Sequence, residues 1–333
     1  MEKILRAAIL VLGLWVFSGT STLYAQDTLQ MQSLYNTRTV SNTPEDMNNL
    51  HLAISPIYLD ANNLNIAFGY GAELTYLLKN RININARYQR AYMDRAEEDH
   101  PDVSPGLAAT GSSPSRNFDL GFTYYFRHDT SHAPESIFIE RKRLNNSDLS
   151  FTVDVPAKRM RLWGARGGFI AFKTFIKDIE NKIGFKGYLR EDPASQIINF
   201  SGAYSTMMES NTFYMGISRL DITNLLVEVE GLGMRGSKRR AELYADVMYA
   251  PNIVYYNMSA HGTANSIGFQ EYNVSRLTPR SRFGARLGYT RWSVSPLGIG
   301  FGAEVGVRPG PAAGVLYNTY INLRASVNLS TRI

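Results

Sequence analysis

Apolar and polar residues alternate along much of this chain over unusually long runs. In 64–78 the even positions are Leu64, Ile66, Phe68, Tyr70, Ala72, Leu74, Tyr76 and Leu78, against Asn65, Ala67, Gly69, Gly71, Glu73, Thr75 and Leu77. In 82–92, Ile82, Ile84, Ala86, Tyr88, Arg90 and Tyr92 alternate with Asn83, Asn85, Arg87, Gln89 and Ala91. Phe118, Leu120, Phe122, Tyr124 and Phe126 alternate with Asp119, Gly121, Thr123 and Tyr125. The C-terminal third repeats the pattern: Ala241 to Tyr249 against Glu242, Tyr244, Asp246 and Met248, then Phe283 to Tyr289 against Arg282, Gly284, Arg286 and Gly288. Two more runs follow, Ile299 to Val307 against Gly298, Gly300, Gly302, Glu304 and Gly306, and Val315 to Leu329 against Asn318, Tyr320, Asn322, Arg324, Ser326 and Asn328. A period of two is a strand period; a helix returns its apolar residues at intervals of three and four.

Length decides what kind of strand. Strands of soluble domains run to about 5–6 residues, whereas a tilted membrane strand needs about 9–11. Most of these runs reach the longer class. The polar side carries Arg, Glu, Asp, Asn and Gly, and the apolar side is rich in Tyr and Phe. This predicts an all-β, antiparallel transmembrane β-barrel with a polar interior and a lipid-facing outside, over a soluble β-sandwich, whose apolar face would turn inward. Fourteen strands are predicted, at roughly 51–59, 64–78, 81–93, 116–127, 147–156, 160–176, 182–190, 196–207, 211–219, 223–231, 239–250, 281–292, 297–308 and 314–330. An even count puts the polar connections 94–115 and 251–280 at the cell surface and short turns such as 79–81 and 294–296 in the periplasm. The long connection 128–146 then also falls in the periplasm, which makes it either a docking element for a periplasmic partner or a missed pair of strands.

The N-terminus assigns a compartment. Lys3 and Arg6 precede the uncharged run Ala7 to Phe17, and small and polar residues follow to Ala25. That pattern predicts a secretory signal peptide over 1–25, leaving Gln26 as the mature N-terminus. The apolar run is too short for a spanning helix, which needs roughly 20 residues. Residues 26–50 lack periodicity and are expected to be a periplasmic tail or plug segment, with the barrel over 51–333. The chain has no cysteine, as suits a protein that crosses an oxidising periplasm unfolded. Its 44% hydrophobic residues, 12% aromatics and mean hydropathy of -0.21 fit a barrel and a soluble protein equally. The charge of +6 comes from scattered residues. In an exported protein it points to anionic lipid headgroups and not to nucleic acid.

With these runs, the chain resembles a Gram-negative outer-membrane β-barrel protein. Its final strand resembles the recognition signal of that class in Val327 and Leu329, and departs from it in ending on Ile333 where an aromatic is usual. The resemblance implies localisation in the outer membrane and two partners, the barrel assembly machinery and outer-membrane lipid with lipopolysaccharide. In size and style the chain also resembles, more distantly, accessory barrels of type IX secretion and gliding machinery.

No catalytic, cofactor or metal site is predicted, and the chain is not expected to be an enzyme. The histidines are His51, His100, His128, His132 and His261. A barrel phospholipase would place a His and a Ser two apart on one strand, and no His-x-Ser occurs. The run Glu97-Glu98-Asp99-His100-Pro101-Asp102 has the residue types of a barrel protease without its spacing across strands, so a solvated acidic loop is expected. His128 and His132 have a helical metal spacing in what reads as a turn. Arg141-Lys142-Arg143, and Arg235 with Lys238, Arg239 and Arg240, read as solvated basic turns or as contacts for a partner or for lipid phosphates.

The candidate functional residues are instead inward-facing charges. A three-residue turn at 79–81 sets Leu78 opposite Ile82 and therefore Glu73 opposite Arg87. The same count around 294–296 sets Arg286 opposite Glu304. The leading functional expectation is a passive pore or small-solute channel. The alternative is a non-catalytic structural or accessory subunit of an envelope secretion machine, its lumen filled by side chains or by residues 26–50.

Overall fold

The structure is a computed structural model, which describes residues 36–47, 49–94, 114–144, 147–177, 183, 186–189, 197–199, 205–256, 258–261, 269–294, 297–314 and 317–331. In chain order the strands are β1 (Thr37–Asn42), β2 (Leu50–Asn62), β3 (Ile66–Leu78), β4 (Ile82–Asp94), β5 (Arg116–Leu144), β6 (Ser147–Lys177), β7 (Lys186–Leu189), β8 (Ile198–Asn199) and β9 (Ser205–Val229). They continue with β10 (Gly233–Tyr255), β11 (Met258–His261), β12 (Phe269–Asn273), β13 (Arg280–Ser281), β14 (Phe283–Ser293), β15 (Leu297–Val307), β16 (Gly310–Pro311) and β17 (Thr319–Thr331).

Ten of these strands close a ring in the order β9-β10-β14-β15-β17-β2-β3-β4-β5-β6, and β6 pairs back onto β9 from Arg159↔Thr223 to Lys177↔Ser205. Strand β1 adds to β9 outside the ring. The all-β antiparallel barrel is therefore present, and its ring holds ten strands where fourteen were expected. Three misreadings account for the difference. The segments 147–156 and 160–176 are one strand, β6, of 31 residues. The segments 211–219 and 223–231 are one strand, β9, of 25 residues, which begins at Ser205 near the end of 196–207, and the earlier part of 196–207 holds only β8. Residues 182–190 contribute only β7, in a small separate sheet ordered β11-β12-β7-β8. Gly164, Gly167 and Gly168 look like turn residues in sequence. In the fold they are extended residues within one strand, because a closed sheet supplies ladder partners on both sides.

The same continuity corrects the long connection at 128–146. Residues 128–144 are strand, and only 145–146 separate β5 from β6. The chain divides into two compact units: a smaller one of 1–41, 134–156 and 226–236, and a larger one holding the ring. In the smaller unit Ile137, Ile139, Val153, Val155, Val227 and Val229 are buried.

Within the ring, the turn at 79–81, the facing ends of β14 and β15 at Ser293 and Leu297, and the outer ends of β2 and β17 share one end. The connections 95–115, 178–204, 256–282 and 308–318 leave from the other. The two surface connections expected from sequence thus start from one rim, and 178–204 joins them. At the turn end Lys79 and Asn80 take positive φ (48° and 54°), and Arg81 N–H donates to the Leu78 carbonyl at 2.9 Å. Positive φ at both central positions matches the twist of the flanking strands. At the opposite rim the Asn62 side-chain oxygen accepts from Leu64 N–H (2.8 Å) and Asn65 N–H (2.7 Å), closing the short turn into β3.

Side chains sort as the alternation requires. Phe68, Leu74, Ile84, Leu120, Phe122, Phe213, Leu243, Val247, Leu287 and Val327 point outward and are exposed, Met215 at 73% and Ile299 at 78%. So much contiguous apolar surface is foreign to a water-soluble monomer and suits a lipid-facing wall. Among the described residues no helix is long and apolar enough to cross a membrane.

Candidate functional site: a charged core across the barrel

The interior is layered. Near the turn end Leu77, Tyr125, Met160, Leu162, Leu220 and Ile222 form an apolar layer, with Met47 packed against it. The approach to Met47 is held in place by polar bonds. Lys158 N–H donates to Asn42 Oδ1 at 2.7 Å, Asn224 Nδ2 to the Thr43 carbonyl at 2.9 Å, and Lys158 Nζ meets Glu45 at 2.6 Å. Residues 42–47 therefore lie across the turn end, while 37–42 of the expected tail form β1 and 26–35 fall outside the described residues. Toward the other rim Ile170, Phe172, Ile176, Met208, Met248 and Ile253 form a second apolar layer, joined by Tyr272 and Val274 from the connection after β10.

Between the layers lies a charged network to which every ring strand contributes. Arg286 (β14) is its hub: Nε meets Asp246 Oδ2 (β10) at 2.7 Å, and Nη1 meets Asp119 Oδ2 (β5) at 2.8 Å and Glu304 Oε2 (β15) at 3.5 Å. Arg87 (β4) bridges Asp119 at 2.9 Å and Glu304 at 3.3 Å. Glu304 also accepts from the hydroxyls of Tyr244 (β10) and Tyr320 (β17), each at 2.5 Å. Arg166 (β6) reaches Asp246 at 3.2 Å and Glu242 at 3.7 Å, and its guanidinium lies 3.9 Å from the Tyr244 ring centroid. Tyr214 (β9) donates to Asp119 at 3.0 Å beneath the Arg286 guanidinium, 4.2 Å away. Arg324 (β17) meets Glu73 (β3) at 3.5 Å. Arg308 grips Asp60 (β2) with two bonds of 2.8 and 2.6 Å and stacks on Tyr320 at 3.6 Å.

Buried charges are tolerated when they are paired and hydrogen-bonded. Here each acid faces at least one guanidinium, and the arginines are long enough to cross from wall to wall. Two inward glycines make room. A Cβ at Gly288 would lie 2.1 Å from the Tyr244 ring, and one at Gly121 would lie 2.4 Å from the Tyr214 hydroxyl. A void among Asn117, Phe172, Met248, Arg286, Glu304 and Tyr320 measures about 20 Å³, space for a single water.

All four candidate residues from sequence line this interior, with different partners in the two hairpins. Leu78 opposes Ile82 and Glu73 opposes Arg87. Yet the Glu73 carboxylate meets Arg324, and Arg87 turns to Asp119, its direct partner on the other side. Arg286 opposes Gly306, and Glu304 opposes Gly288, two residues from the predicted pairing. The ladder of β14 with β10 explains the offset. Ser293 is still paired with Arg239 and Val294 N–H donates to the Lys238 carbonyl, so the turn into β15 begins later. A shift of two leaves every face unchanged, and Arg286 and Glu304 still meet diagonally.

Asp60, Asp119, Arg166, Asp246, Arg308 and Arg324 complete the core. Asp119, Asp246 and Arg324 stood on the polar side of their runs in sequence, so their face was legible. Their partners were not, because Asp119 and Asp246 pair across strands joined by long connections, where no turn fixes a register.

The remaining candidates do not converge. His51 is buried near the turn end, and His128 and His132 are exposed on β5. Among the described residues no group of three potential metal ligands forms. Glu97 to Asp102 lie outside the described residues, as do the side chains of His261 and of Arg141 to Arg143. In the second basic cluster Lys238 is exposed, but Arg240 is buried inward and donates to Asn83 Oδ1 at 2.9 Å.

No family model and no curated protein matches the chain. Among solved structures it is similar to the NanC porin, at 6% identity over 85% of this chain and 100% of that one, with a TM-score of 0.30. It is also similar to the outer membrane protease OmpT from Escherichia coli, at 9% identity over 88% and 99%, with a TM-score of 0.31. A loop-deletion mutant of OmpT, an outer membrane protein of Vibrio cholerae, matches at 10% identity over 85% and 99%, with a TM-score of 0.17. Superpositions this loose carry no residue roles from one protein to another. The resemblance to type IX secretion barrels finds no counterpart among these three.

Proposed function

We propose that the chain is a plugged, non-conducting barrel of the outer membrane that acts as a structural or accessory subunit of the envelope. The observation behind this reading is the interior itself. A charged network drawn from all ten ring strands lies between two apolar layers, and a void beside Arg286 and Glu304, against Phe172 and Met248, is about 20 Å³. An ion would have to part buried salt bridges to pass. The outward apolar wall supports the outer-membrane placement, with delivery by the barrel assembly machinery. The smaller unit of 134–156 and 226–236 is the surface offered to a periplasmic partner.

Planar-bilayer recording tests this directly. The purified protein inserts without steady current. Reproducible steps of ion current favour the passive small-solute pore and overturn the plug. Fractionation of cell envelopes tests the location, with the protein expected in the outer-membrane fraction.

A further inference from the structure

One row of outward side chains breaks the apolar wall. On β5 the outward positions from Phe118 to Phe126 are large and apolar, a run of about the height of a barrel's lipid-facing band. The next outward position toward the long-connection rim is Arg116. It stands directly opposite Arg90 of β4. Both guanidinium side chains are exposed, and neither has a hydrogen bond or ion pair to another described residue. On β6, next to β5, Lys173 interacts electrostatically with Arg116. Lys173 is covered by the Tyr256 ring, 4.7 Å away, and stands directly opposite Glu209 of β9, so its charge is offset within the barrel wall. At the same border β10 and β14 carry the paired rings of Tyr249 and Phe283. Exposed cations thus stand side by side at this border on β4 and β5.

Two like charges placed directly opposite on a sheet repel each other and destabilise the pairing. Among the described residues no acid is bonded to the side chain of Arg90 or Arg116, and the apolar wall continues beneath them at Tyr88 and Phe118, which are direct partners. A group that meets both features carries negative charge at the membrane surface and acyl chains below. We propose that Arg90 and Arg116 bind the phosphates of an outer-leaflet glycolipid whose acyl chains lie along Phe118 and Tyr88. The proposal rests on the outer-membrane placement given above, with the long connections facing outward. Guanidinium groups suit it because they bind phosphate oxygens through paired N–H donors.

The test uses the full chain in detergent micelles, with folding checked by heat-modifiable gel mobility. The probes are a bisphosphorylated lipid A, the same lipid without its phosphates, and inorganic phosphate. Lipid retained per protein after gel filtration is the readout. The wild type binds the bisphosphorylated lipid. The R90A/R116A double variant folds as well as the wild type and binds it roughly ten- to thirtyfold more weakly. The R90K/R116K variant keeps most of the affinity, and inorganic phosphate does not compete at equal concentration. Equal binding of the dephosphorylated lipid, or unchanged binding by the folded alanine variant, overturns the proposal. Competition by inorganic phosphate at equal concentration assigns the site to free phosphate and also overturns it. Failure to bind by a silent barrel in the outer-membrane fraction removes this inference alone, whereas ion current or a different location removes the functional reading.

Discussion

The charged centre of the barrel and the apolar layer at its turn end fill the same lumen by opposite means. Around Leu162 and Leu220 the walls meet through aliphatic side chains that need only be the right size. Around Arg286 they meet through charges that need named partners at fixed distances. The apolar layer loses stability in proportion to the volume removed. The charged layer fails when its hub leaves, because three buried acids are then short of a cation at once. Exclusion of water is therefore shared between the layers, while the relative placement of the ten strands is read out mainly in the centre.

The largest expected effect comes from removing the hub. Arg286→Met keeps the volume and leaves Asp119, Asp246 and Glu304 short of a cation, so a loss of about 3–5 kcal/mol is expected in urea unfolding followed by gel mobility. A loss below that of the leucine variant considered next would mean that packing, and not pairing, dominates the centre. Leu220→Ala in the turn-end layer should cost about 2–4 kcal/mol by leaving a cavity, and the cost should not depend on salt. A barrel that becomes conducting on this change would show that the apolar layer is the true gate. Gly288→Val forces a side chain into the Tyr244 ring and is expected to cost about 1–3 kcal/mol. Pairing it with Tyr244→Phe should leave that cost in place, and full rescue would show that the hydroxyl, not the ring, sets the spacing. Glu73→Gln should have the smallest effect, about 1 kcal/mol, since Arg324 keeps its bond to Thr290. A cost as large as that of Arg286→Met would move the hub to the β3 side.

The two hairpins that carried the sequence argument separate what the chain decides locally from what it does not. At 79–81 a tight turn with two positive-φ residues joins β3 and β4, and counting from the turn gives the observed register. At 294–296 the same count is out by two, because β14 is also held by β10, a strand far away in sequence. Strand number failed for a related reason. Gly164 and Gly168 end a strand in an isolated hairpin, but in β6 they are carried through by neighbours on both edges.

By itself the sequence determined the faces. A period of two assigns each residue inside or outside whatever the register, so the polar interior and the apolar wall follow from the alternation of runs such as 118–126. Glu73, Arg87, Arg286 and Glu304 could be placed inward on the same ground. Only the tertiary structure decided how many strands close the ring, and which arginine meets which acid. Closure joins strands separated by connections such as 95–115 and 256–282, whose length leaves register free. The Arg286 guanidinium reaches Asp119 across the lumen only once all ten strands have set its width.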